Sequence, residues 1–298
     1  MGEVVVAGAS GLIGSALVRS LQADGVSVVR LVRRPARSAD EREWLTDASP
    51  LSPDVLAGAD AVVALNGASI GRLPWTRRYR KTLRESRLRP TETLAGALRQ
   101  LGDGAPPFLS GSAVGFYGSQ PGVQLDESSR RGDTFLAQLC VEWEDAARHA
   151  GDSCRVVHLR TAPVVHREGV LKPLMRLTAL GVGGPIGRGT QMWPWISVED
   201  EVRAIRHLID SDVAGAANLA GPTPASANDL GRAVAKSMHR PFWLRTPEWA
   251  LKLALGSAFA ESLLTSDANV VPAVLQASGF EFQHQTVQAA TREALAAD

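Results

Sequence analysis

The chain has 298 residues, 45% apolar and 21% charged, and its 32 Lys+Arg against 31 Asp+Glu leave a formal charge of +1. These values fit a globular protein with a large core, and the balanced charge gives no general attraction to nucleic acid or to an anionic membrane surface. Two cysteines, Cys140 and Cys154, make no disulfide framework, and the six histidines are scattered without ligand spacing, so no metal is expected. No apolar run is long enough to span a bilayer and no secretory leader is read, which makes a cytoplasmic location the expectation.

The first element is a strand, Val4-Val-Val-Ala7, that runs directly into glycines at 8, 11 and 14. A helix pattern follows at once, with Leu12, Ile13, Ala16, Leu17 and Leu21 on one face and Gly25 at its C-terminal end. Strand, glycine turn and helix together are the context in which a glycine motif signals a dinucleotide site. Gly8 permits the turn, Gly11 lets a pyrophosphate approach the backbone, and Gly14 lets the helix pack on the strand. The free N–H groups at the helix start, with Leu12 and Ile13 in the first turn, suit the phosphates. The spacing is Gly-x-x-Gly-x-x-Gly, which resembles the extended and atypical short-chain dehydrogenase/reductases.

The second strand, Val26–Val32, ends on Arg33 and Arg34, where an NAD enzyme places a carboxylate for the adenosine ribose. Two guanidiniums suit a 2′-phosphate instead, so NADP(H) is the expected cofactor, with the Ser10 hydroxyl as a further donor. Ala61–Leu65 reads as a buried strand ended by Asn66-Gly67-Ala68, and Leu65, Asn66 and Gly67 join the expected cofactor contacts. Residues 76–101 read as a helix broken or kinked at Pro90. Its basic cluster (Arg77, Arg78, Arg80, Lys81, Arg84) is a solvated face or lies near a phosphorylated ligand.

Pro107–Ser112 is the next strand, Asp133 is placed to cap a helix carrying Phe135, Leu139 and Trp143, and Cys154–Arg160 is a further strand. Strand and helix alternate, so the fold class is α/β, a Rossmann doubly wound parallel sheet. Residues 1–164 form the cofactor domain, with 195–222 returning to it. Residues 165–298 form a smaller, mostly helical substrate lobe. It opens on glycines 181, 183, 184, 187 and 189, followed by Trp193-Pro-Trp195, a stretch suited to covering a substrate. Asp200 is placed to begin the helix after it.

Further segments match one group. They are Asn66-Gly-Ala-Ser-Ile70, Ser86-Arg87 with Thr91, Ser112-Ala-Val-Gly-Phe-Tyr-Gly118, Asp133–Ala137 with Trp143-Glu144, Gly183–Gln191 with Trp195-Ile196, and finally Arg240-Pro241, Val271-Pro272 and Gly279–Phe282. Over nearly its whole length the chain resembles the epimerase-like atypical short-chain dehydrogenase/reductases that carry a C-terminal DUF1731 segment. Some bacterial members are labelled cell-division inhibitors. The resemblance implies an extended-type Rossmann domain, NADP(H), an undefined substrate, and Arg87 as a cofactor contact.

One departure bears on mechanism. The superfamily's Tyr-x-x-x-Lys pair, in which Lys lowers the pKa of the Tyr acid/base, falls on Phe135–Cys140, which holds neither residue. Ser112 matches the superfamily's active-site serine. Tyr117 is a candidate proton donor, with packing beneath the substrate loop as the equal alternative; His166 and Glu199 are weaker acid/base candidates. Two functions follow. One is an NADP(H)-dependent oxidoreductase or epimerase acting on a small carbonyl- or hydroxyl-bearing metabolite, a nucleotide sugar among the candidates. The other is an NADPH-binding regulator that has lost catalysis. The expected partner is a small molecule, and monomer and homodimer both stay open.

Overall fold

A computed structural model describes residues 2–47 and 49–296. Seven strands form the main sheet: β1 (Glu3–Ala7), β2 (Ser27–Val32), β3 (Glu41–Glu43), β4 (Ala61–Ala64), β5 (Phe108–Ala113), β6 (Val156–Thr161) and β7 (Gly215–Leu219). All are parallel, in the order β7-β6-β5-β4-β1-β2-β3. The chain starts in the middle, builds outward to β3, then returns to the other side of β1. The crevice beyond the strand ends at β1 and β4 is where such sheets bind ligands.

Alternation along the strands sends side chains to two different cores. Val4 and Val6 face helices α1 (Leu12–Ala23) and α5 (Val198–Asp210), meeting Leu17, Leu21, Val202 and Ile205. Val5 and Ala7 face α2 (Arg77–Leu101), meeting Leu94 and Leu98. Burial on both faces explains why these strands read as continuous apolar runs. A third core gathers Leu171 of α4 (Leu171–Ala179) with Trp193, Trp195, Leu230, Val234 and Val287 in the C-terminal part. That part is less separate than its sequence suggests, because Ala268, Val270, Leu275, Phe280 and Phe282 enter the core beneath α1 and α5.

Several local expectations are corrected. Pro90 lies inside α2, which runs unbroken for 25 residues. Leu83, Leu94, Ala95 and Leu98 are buried on either side of it, and that packing offsets the ~3 kcal/mol cost of an interior proline. Thr134, not Asp133, caps α3 (Phe135–Arg148), accepting the Ala137 N–H. Ser197 caps α5, and Asp200 is its third residue rather than its start. The edge strand β3 has no apolar pattern to announce it. No helix among the described residues is long and apolar enough to cross a membrane.

A buried polar network ties these elements together. Arg160 on β6 binds Glu144 on α3 through two bonds, Nε to Oε1 at 2.8 Å and Nη2 to Oε2 at 3.0 Å. Its Nη1 donates to the Tyr117 hydroxyl at 2.9 Å, which donates to Asn218 Oδ1 on β7 at 2.7 Å. Asn218 Nδ2 continues to the Val271 carbonyl at 2.9 Å. The guanidinium also stacks on Phe116, 3.6 Å from the ring centre. Each charge is paired, which is what makes its burial tolerable.

Glu201 is a contrasting case. It is fully buried in α5, accepts a 2.7 Å bond from Thr161 Oγ1, and its second oxygen has no partner among the described residues. Burial without a cation pushes its pKa up to about 8. The folded state therefore holds this proton more tightly than the unfolded chain does. Its contribution to stability is present below the unfolded carboxyl value of about 4.3 and is lost as pH rises through about 8. Glu201→Gln should remove this loss. In denaturant unfolding at a series of pH values, the variant should gain on the parent as pH rises from 5 to 8 (roughly the interval between those two pKa values). A constant offset would contradict the assignment.

Candidate functional site

The first glycine turn shows different reasons for its three glycines. Gly8 has φ +87°, and a Cβ there would lie 2.8 Å from the Leu65 backbone. A Cβ at Gly14 would lie 2.2 Å from the Gly8 carbonyl oxygen. Packing demands glycine at both. At Gly11 an added Cβ would meet only the Gly8 oxygen, at 3.4 Å, an ordinary contact. Gly11 is exposed and precedes α1, whose first turn has no side-chain cap and no acidic residue. The N–H groups at Leu12 and Ile13 thus begin a positive helix end open to an anion. Ser10 is exposed on the same turn.

The opposite wall is the end of β4. In register, Ala7 pairs with Ala64 and Ala64 with Ser110, so Asn66 and Ser112 each lie two residues beyond a paired position. Ser86 Oγ accepts the Ala68 N–H at 2.9 Å, which fastens this strand end to α2. Arg87 donates to the carbonyls of Leu83 (3.0 Å) and Ala68 (3.2 Å) and lies over the Trp143 ring. A Cβ at Gly67 would come within 3.1 Å of its guanidinium carbon, so glycine there leaves room for the arginine. No carboxylate pairs with Arg87 among the described residues, and loss of water lowers its pKa. The buried Asn66 Oδ1 also lacks a partner. A cation without a counter-ion can meet an anionic group, and an unsatisfied amide oxygen can accept from a hydroxyl or N–H of a ligand.

The arginine pair after β2 divides. Arg34 binds Glu41 on β3 through two 2.7 Å bonds and holds that carboxyl down at about 2. Arg33 is exposed and has no ion pair among the described residues, so it is the free cation of the two. The Glu41 partnership was invisible in the sequence because β3 was.

The catalytic expectations fare unevenly. Tyr117 is fully buried, with its hydroxyl held between Arg160 and Asn218, and burial pushes its pKa up to about 12. Its hydroxyl completes the buried network. Ser112 lies at the end of β5, 5% exposed, and donates to Glu144 Oε1 at 2.8 Å. To donate to a ligand it must release Glu144. His166 accepts the Glu168 N–H through Nδ1, and Glu199 stands in the first turn of α5. At the superfamily's Tyr-Lys location, Phe135 packs edge-on against Trp75 at 5.8 Å, and Trp75 against Phe259 at 5.5 Å. Leu139 is buried in the same cluster. The sequence reading missed Arg160 and Asn218; Glu144 was noted only within the quoted motif.

Strand order, glycine turn and crevice define an extended Rossmann-type α/β protein. The chain belongs to the NAD dependent epimerase/dehydratase family, whose profile matches residues 4–220, and residues 246–294 match the domain of unknown function DUF1731. It is 39% identical over 289 residues to the epimerase family protein ML0860 of Mycobacterium leprae, covering 95% of this chain and 92% of that one. A crystal structure of human epimerase family protein SDR39U1 with NADPH superposes with a TM-score of 0.90 at 29% identity, over 99% of both chains. A nucleoside-diphosphate sugar epimerase from Corynebacterium glutamicum gives 0.78 at 31% identity, over 98% of this chain and 58% of that one.

The contrast among the glycines generates a test. Gly11→Ala should leave the unfolding midpoint unchanged and weaken NADPH binding at least about tenfold, because the methyl group stands where phosphate must approach. Gly14→Ala should lower the midpoint itself. If NADPH binds Gly11→Ala as tightly as the parent, phosphate is not seated on this turn.

Proposed function

We propose that the chain binds NADPH in the crevice between β1 and β4 and reduces a small carbonyl-bearing metabolite in the cytoplasm. The observation that supports this most is the turn at Gly11, open and unencumbered by packing, facing a strand end where Arg87 has no carboxylate counter-ion among the described residues and Asn66 Oδ1 has no hydrogen-bond partner. The NADPH in the human relative's structure supports the same assignment.

In this reading the pyrophosphate rests on Gly11, Leu12 and Ile13, with Ser10 as a further donor, and Gly8 and Gly14 shape the turn. Arg33 meets the 2′-phosphate, with Arg34 held beside it by Glu41. Leu65, Asn66 and Gly67 form the facing wall and Arg87 neutralises charge behind it. Bound there, the cofactor supplies a hydride. Ser112 is the hydroxyl at the end of β5 able to donate to the oxygen that becomes negative, once it turns from Glu144. Phe135 and Leu139 provide neither acid nor base, so the proton that accompanies hydride transfer comes from water.

A second reading is a regulator that holds NADPH without turning it over. It is favoured by the apolar Phe135–Trp75–Phe259 cluster, which occupies the location of the superfamily's acid/base pair. A screen of carbonyl metabolites for NADPH consumption separates the two. For an enzyme, Ser112→Ala should lower kcat/KM at least about tenfold with NADPH affinity nearly unchanged. Tyr117→Phe should cost stability, about 1–3 kcal/mol for two abandoned partners, with little effect on kcat. Tight NADPH binding with no turnover across the screen favours the regulator.

A further inference from the structure

Away from the crevice, three residues from distant parts of the chain converge. Glu199 in the first turn of α5, His284 beyond Phe282, and Glu293 in the C-terminal helix Val287–Ala296 bring ligand atoms within 4.8 Å of one another. This is more than a group of surface acids. His284 is 3% exposed and is oriented from behind: its Nδ1 lies 3.0 Å from Ser197 Oγ and 3.5 Å from Asp200 Oδ2. Asp200, itself buried, accepts the backbone N–H groups of Gln283 at 2.7 Å and His284 at 2.9 Å, which fixes the segment carrying the imidazole.

The hydrogen-bond pattern points to what the group lacks. Ser197 Oγ accepts the Asp200 N–H and directs its own proton to Asp200 Oδ2 at 3.0 Å. In that arrangement it accepts Nδ1–H from His284, and Nε2 presents a lone pair 2.9 Å from Glu293 Oε2, with Glu199 alongside. In that tautomer three acceptors converge, and either a proton on Nε2 or a bound metal ion supplies the positive charge between them. An imidazole whose inner N–H is held by a hydroxyl and a carboxylate, and whose outer nitrogen faces further carboxylates, is the arrangement that orients metal-binding histidines. One nitrogen and two carboxylate oxygens suit a first-row divalent ion such as zinc better than magnesium or calcium.

We propose that Glu199, His284 Nε2 and Glu293 bind a divalent transition-metal ion, with Ser197 and Asp200 positioning the histidine. The ion joins the start of α5 to the C-terminal helix and fastens the DUF1731 segment to the Rossmann body. This proposal does not depend on the cofactor reading.

The full-length chain, stripped with chelator, is titrated with zinc chloride at pH 7 by calorimetry, and its thermal unfolding is followed with and without zinc. One saturable site per chain and a higher unfolding midpoint in zinc are expected. The Glu199→Gln/Glu293→Gln double variant should keep the metal-free midpoint and circular dichroism of the parent and bind zinc at least about tenfold more weakly; Ser197→Ala should weaken binding to a smaller degree. Absence of saturable binding overturns the proposal. So does an equal affinity in the double variant. A midpoint indifferent to zinc but raised by acid, with the acid effect lost in the double variant, also overturns it, because a proton then supplies the missing charge.

Discussion

The nucleotide-facing edge of this protein depends on how closely three backbone segments approach at the first glycine turn. Gly8 sits against the end of β4, and Gly14 sits against Gly8, at distances that leave no room for a Cβ. That contact brings the start of α1 down onto β1 and opens the crevice at the point where strand order reverses. Gly11, between them, is free of the constraint, and its freedom is the feature that favours a ligand. The same logic recurs at Gly67, whose lack of a side chain gives Arg87 access to the wall of the crevice.

Beyond this edge, stability and chemistry draw on the same side chains. Glu144 is shared between Ser112 and Arg160, and Arg160 between Glu144 and Tyr117. A serine at the expected catalytic location is thereby coupled to a buried ion pair, and the tyrosine that follows it belongs to the core. The Phe135–Cys140 stretch, where the resemblance places the superfamily's Tyr-Lys pair, holds neither residue, and this is the ground for proposing positioning and charge stabilisation over proton transfer.

The sequence made the sheet legible because its strands are buried on both faces and its first turn carries its own glycine signal. Strand β3 was missed because an edge strand of Glu, Arg and Glu has no apolar pattern, and the pairing of Arg34 with Glu41 was missed with it. Pro90 does not break the helix, because its propensity argues locally, whereas buried leucines on both sides decide the helix. Tyr117 stayed open between packing and proton donation because its partners Arg160 and Asn218 lie 43 and 101 residues away, and no local spacing reveals them. The convergence of Glu199, His284 and Glu293 is likewise a product of the fold, invisible to any rule of ligand spacing. Leu65–Gly67 does follow a strand end, but the unpartnered Asn66 Oδ1 and the missing carboxylate partner of Arg87 needed three dimensions to be seen.

The central claim is that this crevice takes NADPH in preference to NADH, with Arg33 as the free cation that reads the difference. Calorimetric titration of the parent and of Arg33→Ala with both cofactors tests it most directly. The account predicts one NADPH per chain, bound at least about tenfold (~1.4 kcal/mol) more tightly than NADH, with the gap narrowed in Arg33→Ala. Equal affinities in the parent, or binding of neither cofactor, would contradict it.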